Sequence, residues 1–267
     1  MTERLPQEFE AALVRTADRR GIFGKSLYYF GEIGSTNDEA ARLADAGAPA
    51  GTTVVASAQT SGRGRFGRRW FSPAGAGLYA SVIVRDRRAA ALLTLAGGVA
   101  VAEGIRAACG LPVEIKWPND VVVNAGLGRR RKLAGILAEA SSGPDGLQYV
   151  VLGFGINLFP AAYPAEIGDR ATSVSAELGR PVEGGVILVE CLAAFAAGVC
   201  DLASGRHEQL IARWSALAPS ANGSRVECES AGGPLSGVTA GIDDDGALLV
   251  RSGARLERVR SGQVRWL

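Results

Sequence analysis

Residues 59–70 read Gln59-Thr60-Ser61-Gly62-Arg63-Gly64-Arg65-Phe66-Gly67-Arg68-Arg69-Trp70. Gly62, Gly64 and Gly67 fall at the G-x-G-x-x-G spacing of a dinucleotide-binding turn. That turn needs a helix to begin at its third glycine, so that the helix N-terminus meets the pyrophosphate. Here Trp70, Phe71 and Pro73 lead through a run of small residues into another strand. Four arginines within residues 63–69 also replace the small apolar residues that such a turn packs against its sheet. What these residues can do instead is surround a polyanion, with backbone N–H groups freed by glycine and with guanidinium forks. The plain alternative is an exposed basic loop.

A second group is Lys116-Trp117-Pro118-Asn119-Asp120, on a turn between two strand-like runs. A lysine, an amide and a carboxylate on such a turn can address a phosphate, a Mg²⁺ ion or an amine. Ordinary turn chemistry, with Asn119 and Asp120 bonding their own backbone, accounts for the same residues. A third group is Arg129-Arg130-Arg131-Lys132-Leu133-Ala134-Gly135-Ile136-Leu137, a basic loop entering a strand. A charged strand edge that discourages pairing explains its arginines better than it explains Lys132. Only Lys25, Lys116 and Lys132 are lysines among 29 basic residues, which points to sites where a guanidinium fork does not fit. Gly135 leaves room beside the strand. In Gly153-Phe154-Gly155-Ile156-Asn157 two glycines on alternate positions bare one face of a strand, either for something flat to lie on or as part of a β-bulge.

The elements that must position these groups can be read from periodicity. Apolar residues at helical spacing mark 7–20, 36–46, 89–108, 184–203 and 206–217, and Ser35, Thr36 and Asn37 offer N-caps for the second of these. TTVVASAQ, LYASVIVR, VEIKWPNDVVV, KLAGILAEAS and QYVVLGFGINL read as strands. Near Ala218 the composition changes to APSANGS, and five short strand-like runs follow: RVECES, LSGVTAGI, ALLVR, RLERVR and QVRWL. The pattern is α+β, with a large unit at 1–218 and a small β-barrel at 219–267. A barrel of that size is near the lower limit for an independent core, so it must pack on the larger unit.

With 267 residues, 47% of them apolar, and a net charge of +2, the chain is an ordinary globular protein with no general field for steering onto nucleic acid. Cys109, Cys191, Cys200 and Cys228 lack C-x-x-C spacing, and with His207 as the single histidine they form no zinc site; they read as reduced, buried thiols. The N-terminal segment is charged throughout, which argues against a secretory signal and for the cytoplasm. The uncharged run Ala89–Ala102 falls short of the ~18 residues of a membrane span and reads as a core helix, so no membrane partner is expected.

Taken together and in this order, Gly34-Ser35-Thr36-Asn37, Gln59 with GRGRFGRRW, KWPND, RKLAGIL and GFGIN resemble the biotin protein ligases, over roughly residues 28–267. The resemblance implies a mixed β-sheet flanked by helices, similar to the core of class II aminoacyl-tRNA synthetases, with an SH3-like C-terminal cap. It implies ATP and biotin as substrates, Mg²⁺, and transfer of biotin to a lysine of a biotin carboxyl carrier protein by a monomer or homodimer. About 27 residues precede the first strand, too few for the DNA-binding domain of some members, so no DNA partner is expected. By the same resemblance Lys132 bridges the biotin carboxylate and the α-phosphate, Arg63 and Arg65 hold the adenylate, and Arg68 reaches the outer phosphates. Ser35, Thr36, Asn37 and Gln59 supply hydroxyl and amide partners for the ureido ring, Gly62 and Gly64 also belong to the biotin site, and Gly135, Gly153 and Gly155 leave a slot for the apolar part. Trp70 stacks on adenine, and Lys116, Asn119 and Asn157 contact the nucleotide or its metal. Asp120 either binds Mg²⁺ or orients the acceptor amine. A lipoate or octanoate ligase of the same superfamily, or a basic-loop nucleic-acid module, are the alternatives. The segments 62–69 and 124–131 are expected to be mobile without ligand, because glycines and like charges do not order themselves.

Overall fold

Side chains alternate along the central strands, and the two faces that result have different fates. The computed structural model describes residues 2–126, 129–230 and 233–267, so Leu127 and Gly128 of the segment 124–131 lie outside the described residues. The chain opens with α1 (Gln7–Arg15), α2 (Ala17–Arg20), β1 (Leu27–Phe30), α3 (Thr36–Asp45), β2 (Thr53–Ala56) and β3 (Gly77–Val84). It continues with α4 (Leu93–Cys109), β4 (Glu114–Lys116), β5 (Asp120–Asn124), β6 (Arg130–Gly143) and β7 (Gly146–Asn157). Then come α5 (Ala165–Gly168), α6 (Val174–Leu178), α7 (Gly184–Ala203) and α8 (His207–Leu217). The last strands are β8 (Asn222–Ser230), β9 (Gly233–Ile242), β10 (Leu248–Ser252), β11 (Arg255–Val259) and β12 (Val264–Trp266).

The first seven strands form one sheet in the order β1-β2-β3-β7-β6-β5-β4. Strands β1 and β2 run parallel and the other neighbours antiparallel, the mixed sheet that the family resemblance implies. Leu78, Ala80 and Val82 of β3 and Leu152, Phe154 and Ile156 of β7 point into the main core with residues of α4 and α7. Helices α4 and α7 approach so closely that a Cβ on Gly104 would come within 2.5 Å of Cys191 Sγ. Both are apolar over lengths that could cross a membrane, yet they form the inside of this core. On the opposite face α3 covers one end only, burying Ala40 and Ala44 against Val54, Ile83, Tyr149 and Val151. The other end of that face carries the site.

The five runs after Ala218 form a second, antiparallel sheet in the order β11-β10-β9-β8-β12. The expected boundary at 218/219 falls where a 3₁₀ turn, Pro219–Ala221, leads from α8 into β8. Val226, Leu248, Val250 and Val259 of this small sheet join the same buried cluster as the helices. That shared cluster supplies the packing a barrel so small needs.

Three details depart from the sequence reading. The helix expected over 7–20 breaks at Thr16, whose Oγ1 donates back to Ala12 O (3.0 Å) and accepts from Arg20 Nε (2.8 Å), a side-chain competition that ends helices. Helices α5 and α6, of 4 and 5 residues, are too short to leave a periodic signal. Of the four thiols, all free, Cys191 and Cys228 are buried, Cys109 is half-buried and Cys200 is exposed: Cys200 lies near the end of α7, beyond the stripe that faces the sheet.

Candidate active site

The register of the sheet lays two rows of residues across the uncovered end. One runs Asp120, Gly135, Gly155, Tyr79 from β5 through β6 and β7 to β3; the next runs Leu137, Gly153, Ser81. The row of glycines is bare of Cβ atoms, as the sequence implies, and the flat group lying on it is the chain's own Trp70. A Cβ on Gly155 would stand 2.4 Å from Trp70 Nε1, and one on Gly135 would stand 3.0 Å from its Cζ3. Trp70 Nε1 is buried with no hydrogen-bond partner among the described residues. A buried donor left unpaired carries a cost that an acceptor brought by a ligand would remove.

Lys132 joins this face through an irregularity. Along β6, Gly135, Leu137 and Glu139 share the site face by alternation, which would send Lys132 to the opposite one. The pairing with β5 steps from Val121↔Ala134 to Val122↔Lys132, so Leu133 is an extra residue. This bulge turns Leu133 into the core and re-aims Lys132 to the side of Gly135. Lys132 Nζ then lies 2.5 Å from Asp120 Oδ1 and 5.0 Å from the centroid of the Trp70 ring. A Cβ on Gly135 would come within 3.3 Å of Nζ, so glycine is what lets the lysine cross.

The turn that carries Asp120 is held from two sides. Asn119 Nδ2 donates to Ile136 O (2.8 Å) and Asn119 O accepts from Ile136 N (2.9 Å), which ties the turn to β6. Trp117 is buried and its Nε1 donates to Gly246 O (3.1 Å) in the small sheet's β9–β10 loop. The Trp117–Pro118 peptide is cis. Lys116 stands opposite Asp120 in the β4–β5 register; burial holds its ammonium below the usual lysine range, the charge of Asp120 opposes this, and Arg130, Lys132 and Arg170 reinforce it. Asn157, on the same face as Gly155, donates to Thr172 O (2.9 Å) and fixes the segment beside Lys132. Asn119 and Asn157 thus each commit one side-chain N–H to a backbone carbonyl.

At the start of α3, Ser35 is the N-cap in extended conformation, and Ser35, Thr36 and Asn37 are all buried. Gln59 Oε1 accepts from Thr36 N (2.8 Å) and Oγ1 (3.1 Å), while Gln59 Nε2 donates to Ser72 Oγ (3.1 Å). Ser81 Oγ stands 2.6 Å from Asn37 Oδ1 and 2.8 Å from Thr36 Oγ1, and Asn37 Nδ2 donates to Glu139 Oε2 (2.6 Å). Gly153 must lack a side chain because a Cβ would sit 2.0 Å from Asn37 Oδ1. Ser72, Ser81 and Glu139 were absent from the sequence-derived site; the signal available was a hydroxyl in the apolar strand LYASVIV and a lone acid in LAGILAEA.

The glycine loop closes on itself. Gly64 N donates to Arg68 O (2.7 Å), Trp70 N to Gly62 O (2.9 Å), and Phe66 at the tip takes φ 59°. A Cβ on Gly62 would strike Ser72 Oγ and Trp70 O at 2.7 Å. The arginines part company here instead of converging. Arg63 pairs with Asp38 on α3 and with Glu139 Oε2 (2.7 Å), and these acids, Asp38 foremost, raise its pKa. Arg65 stacks on Phe66 at 4.9 Å; burial lowers its pKa and the charge of Asp120 works against that shift. Arg68 is exposed. A guanidinium next to two carboxylates pairs with them when no ligand anion competes.

Among the described residues no group of three or more His, Cys, Asp or Glu side chains could hold a metal ion. Asp120, the one acid proposed as a ligand, already has an ammonium against it. These residues do not fit a protein-held Mg²⁺, an ion that commonly keeps its waters and travels on phosphate oxygens.

The arrangement suits an anion placed between Lys132 and Arg65 and a small polar ring placed among Thr36, Asn37, Gln59 and Ser81. Residues 31–157 match the Biotin/lipoate A/B protein ligase family and residues 223–264 the Biotin protein ligase C terminal domain. The chain is 32% identical over 264 residues to the "Bifunctional ligase/repressor BirA" of Bacillus subtilis, covering 97% of this chain and 79% of that protein. It is 35% identical over 250 residues to the "Biotin--[acetyl-CoA-carboxylase] ligase" of Mycobacterium tuberculosis, covering 90% and 88%. The Paracoccus denitrificans protein of that same name is 34% identical over 238 residues, covering 86% and 96%. The solved biotin protein ligase from Aquifex aeolicus, in complex with biotin and ATP, superposes with a TM-score of 0.77 at 27% identity, covering 91% of this chain and 99% of that one. On sequence and fold together, the chain belongs to the biotin protein ligase family.

Proposed function

We propose that this chain joins biotin to ATP as biotinyl-5'-adenylate and then passes the biotinyl group to a lysine of a biotin carboxyl carrier protein, in the cytoplasm. The observation that carries the reading is the placement of Lys132 and Asp120 at the end of the Trp70-covered glycine row, beside the polar pocket of α3. In the first step a carboxylate oxygen of biotin attacks the α-phosphorus, and the bond from that phosphorus to the bridging oxygen breaks with its electrons leaving on pyrophosphate. Two anions must approach, and at ~4 Å and an effective dielectric near 20 each pair of unit charges is worth about 4 kcal/mol, so a lysine between them sets much of the barrier. Lys132 takes that place by exchanging Asp120 for the incoming anions, and Arg65 holds the adenylate. Trp70, once lifted from the glycines, stacks on adenine.

In the second step the amine nitrogen attacks the acyl carbon, and AMP leaves with the electron pair of the C–O bond. The amine's free pKa of about 10.4 leaves little of it neutral at pH 7, and Asp120, released from Lys132, orients the ammonium and accepts its proton. The relatives' names favour biotin over lipoate, and so does the pocket: hydroxyl and amide groups of Thr36, Asn37 and Gln59 suit a ureido ring. An acid lacking that ring leaves buried polar atoms unpaired at ~1–3 kcal/mol each. Isotope exchange between pyrophosphate and ATP, driven in parallel by biotin, lipoate and octanoate, tests the assignment. Exchange with biotin alone is expected; exchange with lipoate in its place would refute it.

A further inference from the structure

A single carboxylate oxygen joins the ring pocket to the glycine loop. Glu139 lies on the site face of β6, and its Oε2 accepts from Asn37 Nδ2 (2.6 Å) and from Arg63 Nη2 (2.7 Å). Those donors come from α3 and from the loop 62–69, 102 and 76 residues earlier in the chain. An acid that merely neutralised a surface arginine would leave a buried amide alone, and such a pair would contribute little. Asn37 keeps only 5% of its surface exposed, whereas the Glu139 and Arg63 side chains keep 41% and 38%. Glu139 therefore stands at a rim, between a pocket closed to water and a loop open to it.

A carboxylate accepts and does not donate, so it decides which end of the Asn37 amide faces it. With Nδ2 drawn to Glu139, Oδ1 turns to Ser81 Oγ (2.6 Å), at the place where a Cβ on Gly153 would stand 2.0 Å away. A carbonyl oxygen has two lone pairs, and the one that Ser81 leaves can accept from a ring N–H. The second donor makes this arrangement responsive. Arg63 Nη1 is held separately by Asp38, so Glu139 is the acid that feels both the loop and the pocket. When an anion at the loop draws Arg63 off, the guanidinium charge no longer offsets the carboxylate, and the pull of Oε2 on the Asn37 N–H grows. The ring pocket then tightens as the loop takes an anion, and by linkage the loop gains affinity for the anion when the pocket is filled.

We propose that Glu139 is a positioning residue that couples the two ligands: it presents Asn37 Oδ1 to the ring and releases Arg63 to the nucleotide. The inference rests on the biotin-activating reading of this site. The test is calorimetric titration of the full chain with biotin, without and with an ATP analogue whose α–β bridging oxygen is replaced by methylene, so that no adenylate forms. In the parent chain the analogue is expected to tighten biotin at least ~5-fold. Glu139→Gln keeps the shape but presents an amide that donates as well as accepts, so biotin should bind ~10-fold more weakly and the analogue should no longer tighten it. Asp38→Asn removes the other acid from Arg63, leaves the bond of Asn37 to Glu139 in place, and is expected to shift biotin affinity by no more than ~2-fold and to keep the coupling. A Glu139→Gln chain that binds biotin more weakly yet keeps the coupling would make Glu139 a merely structural acid and overturn the proposal. So would a parent chain that binds biotin without coupling, or an Asp38→Asn chain that loses the coupling equally. A parent chain that binds no biotin would instead overturn the reading on which the proposal rests.

Discussion

Lys132 Nζ and Asp120 Oδ1 meet at 2.5 Å across Gly135, from adjacent antiparallel strands. The pair keeps a point charge at the foot of the glycine row and gives it a partner that an incoming anion can replace. Both side chains are partly solvated, at 36% and 27% exposure, so the exchange does not require extracting a buried ion.

Lys132→Arg is expected not to restore what Lys132→Ala removes. The ammonium fits between Asp120 and the Trp70 ring, 5.0 Å from its centroid, whereas a planar guanidinium is larger and directional. Biotin-driven pyrophosphate exchange should fall at least ~100-fold in both variants, about 3 kcal/mol of lost transition-state stabilisation. Near-normal exchange by the arginine variant would mean that charge alone suffices.

Arg65→Gly is expected to separate the two half-reactions. With Lys132 still in place some adenylate forms, but loss of a charge-assisted hydrogen bond worth roughly 1.5–3 kcal/mol speeds its escape ~10- to 150-fold. The freed mixed anhydride should label an unrelated lysine-rich protein that the parent chain leaves untouched. A variant that forms no adenylate and labels nothing would move Arg65 to the first transition state.

Gly153→Ala should damage the ureido pocket from a distance. Its Cβ would displace Asn37 Oδ1, 2.0 Å away, from Ser81 and so disturb the bond of Asn37 to Glu139. A destabilisation of about 1–3 kcal/mol and a biotin affinity at least ~10-fold weaker are expected from such overpacking. Gly168→Ala, which meets nothing within 4 Å, is the control. Urea melts and biotin titrations that cannot tell the two variants apart would dismiss the argument.

Lys116 makes a prediction in pH. Burial lowers its folded pKa below the unfolded value, so the charged side chain costs stability, and the cost is relieved as pH rises through the folded pKa toward the unfolded value of about 10.4. Lys116→Met should therefore gain on the parent chain most near neutrality, and the gain should shrink as pH approaches 10. Parallel urea unfolding curves from pH 7 to 10 check the sign: a gap that is constant or widens with pH would contradict it.

Much of this molecule is written in local pattern. Period-two alternation in LYASVIV and helical spacing in 89–108 and 184–203 declare their elements, because each buries a face that no other periodicity could bury. The segments GRGRFGRRW, KWPND and KLAGIL announce themselves by glycines, rare lysines and polar groups set directly against apolar residues. Contacts between distant segments decided the rest. Alternation alone puts Lys132 on the wrong side of β6, and the bulge at Leu133 corrects it only because β5 fixes the register from across the sheet. The bare glycines are visible in the chain, but that Trp70 lies on Gly135 and Gly155 depends on how a loop 65 or more residues earlier folds back over the sheet. The division of the arginines followed the same logic: spacing groups Arg63 with Arg65, while Asp38 and Glu139, brought in by α3 and β6, draw Arg63 away. Sequence determined which groups were available to do chemistry, since that is a matter of composition along a short segment. Tertiary structure decided which of them share a face, since that is a matter of register between segments far apart in the chain.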